Sequence, residues 1–341
     1  MGAYPATAGR PPAAPARSGA APRRASDRPA ELVLGGLSAV VLVLILGMVA
    51  YVFEKAWPSF AHNGLHWFGG GGDVNQQIID IFNSPANPDA YVYKLHAWPL
   101  LYSTALTCGL AVLWGVVFSV FASVFIVEFA PPRVQRVVEP VVRLLAAVPS
   151  VVYGLIGILV VVPFVNGFIT DDRRKSVAGV IQLNGESLIV AVTILAVMVA
   201  PIMIAIITDA LRAVPRGWTE GAAALGVNRW RVMWTISLRV VRPAIIAAAV
   251  LSTARALGEA IMLAMVSGGV VFAPNVLDGP TFFFEPTQAL APAIVQNAEG
   301  LQVVPFGQTI YAFAAILLIS AVFLSFAGWA AKQPLRRYGV R

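Results

Sequence analysis

Two charged side chains, Arg255 and Glu259, stand in an apolar stretch that is long enough to cross a bilayer, AIIAAAVLSTARALGEAIMLAMVS. A charge at that depth costs a few kcal/mol, so it marks a functional site by default. Arg255 comes twelve residues into a helix predicted over Pro243–Ser267, about 18 Å along its axis and near the bilayer midplane. Glu259, four residues later, would share its face on a continuous helix.

A guanidinium binds a carboxylate, or an oxyanion such as phosphate, through two parallel hydrogen bonds. The pair therefore predicts an anion pathway in which Glu259 neutralises Arg255 when no anion is bound. The alternative is a salt bridge that only holds helices together.

A basic amphipathic insert, Pro215–Arg242, comes directly before this stretch. Gly217–Leu225 favours a short helix, Gly226 suits the position after a helix end, and Asn228 can cap a second helix through Leu238. The insert thus predicts a helix–turn–helix outside the lipid, either an ordinary interfacial hairpin or a docking element.

Other chemistry is poorly supported by the residue types present. Cys108 is the only cysteine, and His62, His66 and His96 fall in one predicted loop without a carboxylate pattern, so we predict no metal site. No glycine-rich phosphate loop ending in Gly-Lys-Ser or Gly-Lys-Thr occurs, which predicts that the chain binds no ATP and no other cofactor. No His or Asp cluster shares one membrane depth, so we predict no catalytic residues and no enzyme activity.

The composition predicts an all-α membrane protein. Hydrophobic residues make up 58% of the chain and the mean hydropathy is +0.77, whereas ordinary globular chains contain about 45–50% apolar residues. Six membrane spans are predicted, in chain order Leu32–Phe53, within Ala97–Val127, about Leu144–Phe164, about Leu188–Ile207, Pro243–Ser267 and Phe306–Ala330.

The predicted domain organisation follows these spans. A disordered tail occupies 1–30, the first span 31–54, an extended extracytoplasmic loop 55–96, a core of the five further spans 97–335 and a short C-terminus 336–341. In the third span Pro149 removes one backbone hydrogen bond, while Gly154 and Gly157 allow close helix approach. Ser150 and Tyr153 either line a pathway or pack, and packing is the preferred interpretation.

The basic residues predict which side the termini occupy. The tail, the 128–143 turn, the 209–242 insert and the C-terminus together hold 18 of the 24 Lys and Arg residues. The positive-inside rule therefore predicts both termini and the insert on the cytoplasmic side of a bacterial cytoplasmic membrane. Arg173–Lys175 is a local exception, partly balanced by Asp171 and Asp172.

The insert resembles the EAA loop of ABC-importer permeases, whose pattern is E-A-A, three residues, G, nine residues, I-x-L-P. The matching positions are Glu220, Gly221, Ala222, Ala223, Leu225 and Gly226, followed by Ile236 and Leu238. Gly221 replaces the first alanine of the pattern, and Arg239 stands where proline is usual. The resemblance implies a coupling helix between spans four and five, on a type I ABC-importer permease fold, that docks on a cytoplasmic ATPase.

ARALGEA, together with VPSVVYGLIG at 148–157 and the EAA loop, resembles the PstC family of phosphate-importer permeases over roughly residues 98–335. In that family the residues matching Arg255 and Glu259 are implicated in phosphate translocation. The resemblance also implies three partners: a homologous permease PstA, an ATPase dimer PstB that holds ATP and Mg, and an external phosphate-binding protein PstS. The alternatives are an importer of sulfate or molybdate, or a self-contained secondary anion transporter or channel.

Overall fold

The structure, a computed structural model, describes residues 28–169 and 183–336 of the 341-residue chain. The predicted tail therefore falls almost wholly outside the described residues, as do Asp171–Lys175 and nearly all of the predicted C-terminus. Thirteen α-helices are observed in the described ranges: α1 Arg28–Asn63, α2 Val74–Phe82, α3 Trp98–Val124, α4 Pro132–Ala146, α5 Ser150–Ile156, α6 Val162–Asn166, α7 Leu188–Arg212, α8 Arg216–Ala224, α9 Arg229–Val232, α10 Leu238–Leu257, α11 Ile261–Val266, α12 Leu290–Gln296 and α13 Val304–Arg336.

Five of these stretches are long and apolar enough to cross a membrane, and a bent pair, α4 with the helix over Ser150–Asn166, supplies a sixth if it counts as one span. The five are Glu31–Phe68, Trp98–Phe129, Leu188–Arg212, Arg229–Leu257 and Val304–Ala330. The predicted all-α membrane fold is thus confirmed.

The chain divides into two units, residues 1–48 and 49–341. The described part of the first unit is the N-terminal portion of α1, in which every residue from Glu31 to Met48 is exposed and no charged residue follows Glu31. Exposed side chains such as Leu32, Leu42 and Leu44 suit a lipid environment.

The core of the second unit lies between α3, α5, α7, α10 and α11. The two long helices α3 and α7 pack closely: Ser119 Oγ donates to the Ala200 carbonyl and Ser123 Oγ to the Ile204 carbonyl, each at 3.2 Å. A methyl group on Gly115 would come within 3.3 Å of Met203 Cε, so a larger residue would require Met203 to shift at this crossing. These contacts make α3 and α7 the frame on which the other helices are placed.

The segment between α1 and α3 is folded, and the prediction of one extended loop over 55–96 is wrong. Helix α1 continues to Asn63, and Asp73 caps α2 by accepting from the Asn75 backbone N–H at 2.9 Å. Trp67, Ile81 and Leu95 are fully buried in a second apolar cluster with Phe306 and Phe313. The burial of these few apolar residues was not predicted, because the segment around them is polar and their packing partners lie more than 200 residues away in the chain.

The third predicted span is also different from the prediction. Residues 132–146 form the helix α4 where a short basic turn was expected, and the chain then bends by 98° before the helix that begins at Ser150. Pro149 explains the bend because proline disfavours the α conformation of the residue before it. The Tyr153 hydroxyl donates to the Leu145 carbonyl at 2.9 Å, across the bend.

Glu285, between α11 and α12, is a fully buried carboxyl at a junction of several segments. Its backbone carbonyl accepts from Leu188 N–H at the start of α7, and Thr287 N–H donates to the Ser267 carbonyl at 2.7 Å. Its Oε2 accepts from the Asn275 backbone N–H at 3.0 Å, while its Oε1 has no hydrogen-bond partner in the described part of the chain. Burial raises the pKa of Glu285 to about 6, against the lowering effect of the Asn275 N–H and with a further rise from Asp278.

This raised pKa predicts a pH-dependent stability. The folded state holds a proton on Glu285 between its usual pKa of 4.5 and about 6, so the free energy of unfolding falls as pH rises through that window. The loss by neutral pH is about 2 kcal/mol. We expect Glu285→Gln, which keeps the acceptor for Asn275 and removes the charge, to raise the melting temperature at pH 7.5 and to flatten the profile between pH 5 and 7.5. Glu299→Gln, which removes an exposed carboxylate, is the control, and parallel profiles for Glu285→Gln and the wild type would contradict the prediction.

Candidate functional site

Arg255 lies in the last turn of α10, and its side chain is exposed. It forms no hydrogen bond or ion pair with any residue in the two described ranges. The guanidinium is close enough to the Tyr153 hydroxyl of α5 to interact with it electrostatically. All five N–H donors of Arg255 are therefore without a partner in these ranges.

Glu259 is not on the same helix as Arg255, so the predicted placement of both charges on one face of a continuous helix is wrong. Helix α10 ends at Leu257, residues 258–260 are not helical, and α11 begins at Ile261. Glu259 is half-buried, and its Oε1 accepts from the Met262 backbone N–H at 3.2 Å. The carboxylate thus satisfies a free donor in the first turn of α11 and interacts favourably with that end of the helix dipole.

The physical reason for the break is local. Gly258 has a low helix propensity, and the carboxylate of Glu259 competes with the helical pattern by binding a backbone N–H further along the chain. In the sequence, the helix break is indicated by Gly258, which lies between the two charged residues.

Two glycines of the Ser150–Asn166 helix allow α11 to pack closely against it, as the sequence predicted. A methyl group on Gly154 would come within 2.7 Å of Met265 Sδ, and one on Gly157 within 2.6 Å of Val266 Cγ1. The absence of side chains at these positions allows the two helices to approach closely. Ser150 is half-buried at the first position of α5, next to the Pro149 bend.

Overpacking this contact gives a testable result. We expect Gly154→Leu to destabilise the protein by about 1–3 kcal/mol because the side chain would be forced against Met262 and Met265. The measurement is the melting temperature of the purified protein. Gly109→Leu on α3 is the matched control, since a methyl group there has no neighbour within 4 Å. Equal melting temperatures for both variants would contradict the close packing of α5 and α11.

The first helix of the insert, α8, and the turn that follows it form as predicted; α8 with Leu225 is called the first arm, and the helix that begins at Arg229 the second arm. Helix α8 carries Glu220, Gly221, Ala222 and Ala223, and none of its residues is buried. Gly226 has φ +78°, the left-handed conformation that glycine adopts at little cost. Asn228 caps α9 by accepting from the Trp230 backbone N–H at 3.0 Å. Leu225, at the end of the first arm, is 84% exposed, so this arm presents a free face to the surroundings.

The second arm differs from the prediction, because it does not end near Leu238. It continues through a π-helical turn at Met233–Ser237 into α10, giving an unbroken helical stretch over Arg229–Leu257. At 1.5 Å per residue this stretch is about 43 Å long. Arg239, at the position where the EAA pattern has proline, lies inside this helix, and the chain does not turn there.

The start of this long helix is fixed to the end of α3. Arg229 Nε lies 3.4 Å from Glu128 Oε2, and the Arg229 guanidinium lies 5.5 Å from the centre of the Phe129 ring. Trp230 and Trp234 contact each other and pack on Phe129 and Phe121, respectively. These anchors were not predicted, since they join residues about a hundred positions apart.

Residues 115–333 match the family described as the binding-protein-dependent transport system inner membrane component. The chain belongs to this permease family. The match contains the insert, α5 with its bend, and the break between Arg255 and Glu259.

Individual relatives of this permease extend the match to most of the chain. It is 33% identical over 324 residues to the phosphate transport system permease protein PstC 1 of Mycobacterium tuberculosis, covering 91% of this chain and 93% of the relative. It is 29% identical over 303 residues to the phosphate transport system permease protein PstC of Xylella fastidiosa, covering 83% and 89%. The predicted resemblance to PstC permeases is confirmed.

A solved structure supports the fold of the permease. The crystal structure of a bacterial alginate ABC transporter, in complex with an alginate-bound periplasmic protein, matches with a TM-score of 0.57 at 15% identity, over 91% of this chain and 97% of that chain. The predicted type I ABC-importer permease fold is confirmed.

Proposed function

We propose that this chain is the PstC-type permease subunit of an ATP-driven importer of inorganic phosphate, and that it forms part of the translocation pathway. The observation that carries the proposal is the 33% identity, over 91% of the chain, to permeases named for phosphate transport. The guanidinium of Arg255, exposed and without a partner in the part of the chain that the structure describes, supports it, because its planar set of donors matches a tetrahedral oxyanion.

The substrate role is proposed for Arg255 first and for Glu259 second. Arg255 would bind the anion during its passage. Glu259 would hold the start of α11 in place and keep a negative charge near the anion path, so that the anion is bound weakly enough to leave. Pro149, Ser150 and Tyr153 would shape the α5 wall that faces Arg255.

The variant Glu259→Gln separates the role of Glu259 as a helix cap from the role of its negative charge. The amide oxygen can still accept from the Met262 N–H, so the start of α11 should be kept while the negative charge is lost. Because the charge is proposed to weaken anion binding, we expect phosphate uptake to fall while the melting temperature of the complex stays unchanged. An unchanged uptake rate would limit Glu259 to its role as a helix cap.

The coupling role is proposed for the first arm of the insert, Glu220, Gly221, Ala222, Ala223, Leu225 and Gly226. Closure of the ATPases on ATP would move α8, and the Gly226–Asn228 turn would pass that movement to the long helix Arg229–Leu257. Arg255 lies in the last turn of this helix, so its exposure would alternate between the two membrane faces.

The partners proposed are the homologous permease PstA, the ATPase dimer PstB and the phosphate-binding protein PstS. ATP and Mg would bind to PstB, and this chain would bind no cofactor and carry out no catalysis. The 18 basic residues of the tail, the 128–143 segment, the 209–242 insert and the C-terminus support cytoplasmic termini and a cytoplasmic insert in a bacterial inner membrane, by the positive-inside rule.

Substrate-stimulated ATPase activity of the complex reconstituted in liposomes tests this function. We expect binding protein loaded with phosphate to stimulate ATP hydrolysis and uptake, and sulfate to give no stimulation. Stimulation by sulfate or molybdate instead of phosphate would favour another oxyanion importer. Uptake by this chain without any ATPase would favour a secondary transporter and would overturn the proposal.

A further inference from the structure

Helix α4 is an amphipathic helix that lies at the same end of the spans as the insert. Glu139 of α4 accepts hydrogen bonds from both terminal nitrogens of Arg212, the last residue of α7 and three positions before the insert begins. Because the chain bends by 98° between α4 and the following helix, α4 lies across the direction of that helix. If the latter crosses the bilayer, α4 lies along its surface, as amphipathic interfacial helices do.

One side of α4 borders a basic groove of about 780 Å³. Arg136, Arg143 and Arg212 line it, against one carboxylate, Glu139, which is already bound to Arg212. Arg136 and Arg143 are exposed and form no ion pair within 4 Å in the described ranges. The residues that line the groove therefore carry an excess of two positive charges, and Asp209 lines the small cavity beside it.

The other side of α4 covers an apolar cleft of about 510 Å³ between α3 and α7. Phe118, Val142, Leu145, Ala196 and Val197 are among its walls. The small cavity lined by Glu139, Val142 and Arg143 lies between the basic groove and the apolar cleft and shares residues with both. A cationic site on one side of α4 and an apolar slot on the other thus meet around the edge of the helix that carries Glu139, Val142 and Arg143.

We propose that this edge binds one anionic phospholipid, with its headgroup phosphate on Arg136 and Arg143 and an acyl chain in the cleft between α3 and α7. Charge complementarity selects the headgroup, since basic pockets at the cytoplasmic ends of membrane helices attract anionic lipids. The apolar cleft selects a lipid over free phosphate, because a small anion would leave it empty. The bound lipid would fill the space under α4 and so hold it against α3 and α7.

Native mass spectrometry of the complete transporter complex tests the proposal, with phosphatidylglycerol and phosphatidylcholine of identical acyl chains as probes. We expect phosphatidylglycerol to be retained preferentially, and the double variant Arg136→Gln/Arg143→Gln to weaken its binding by about 10- to 30-fold. Arg133→Gln is the control on the same helix, because Arg133 is exposed and does not line the groove. Ala196→Trp, which fills the apolar cleft, is expected to weaken binding of phosphatidylglycerol while leaving all the arginines in place.

A photoreactive residue in place of Leu144, which lines the groove and is 69% exposed, identifies the occupant without removing a charge. Crosslinks to phospholipid in membranes support the proposal. Crosslinks only to another subunit would overturn it, as would equal retention of the two lipids by the wild type, or equal binding of phosphatidylglycerol by the double variant and Arg133→Gln.

Discussion

Replacing Arg255 with alanine is expected to reduce phosphate uptake by at least about 10- to 100-fold while the complex still assembles. A hydrogen bond to a charged group contributes about 1.5–3 kcal/mol, which corresponds to this range. The fold of this chain should persist because the guanidinium forms no hydrogen bond or ion pair with residues of the described ranges. The measurement is uptake of radioactive phosphate into proteoliposomes, with subunit stoichiometry determined on the same samples.

Two further variants separate the anion-binding role from a general effect of charge. Arg255→Lys keeps the charge but loses the planar fork of donors, so we expect intermediate uptake. Arg242→Gln removes another exposed arginine from the same helix, about 20 Å away along its axis, and should transport close to the wild-type rate. Uptake by Arg255→Ala at the wild-type rate would remove Arg255 from the mechanism.

Replacing Gly226 with valine is expected to uncouple ATP hydrolysis from transport. Gly226 has φ +78°, and a residue with a Cβ pays about 1–2 kcal/mol in that conformation, with a β-branched residue at the upper end. The added side chain meets no atom within 4 Å, so the effect should come from the backbone of the turn and not from a clash. The turn joins α8 to the long helix that ends beside Arg255, so distortion should weaken both ATPase docking and uptake.

Gly221→Ala is the matched control, because Gly221 is also exposed, has no neighbour within 4 Å and does not adopt positive φ. Alanine is favoured over glycine in a helix interior by about 1 kcal/mol, so this variant should retain coupling with an equally or more stable α8. Co-purification of the ATPase, phosphate-stimulated hydrolysis and phosphate uptake are the three measurements. Normal values of all three for Gly226→Val would contradict a role of this turn in coupling.

Features that depend on short stretches of chain were predictable. Long apolar runs identified the membrane fold, and the Gly226 turn and the Asn228 cap followed from local backbone preferences. The close approach at Gly154 and Gly157 was predictable because small residues at helical spacing allow the backbones of membrane helices to come close together.

Features that depend on distant contacts were not predictable. The sequence by itself determined that Arg255 and Glu259 lie in an apolar stretch, that an exposed insert precedes them and that the chain carries the pattern of an importer permease. Only the tertiary structure decided that Glu285 is buried, that Trp67 packs with Phe313, and that Arg229 is fixed to Glu128. The physical reason is that glycine and proline act on the helix over a few residues, whereas burial and these contacts depend on segments far away in the chain.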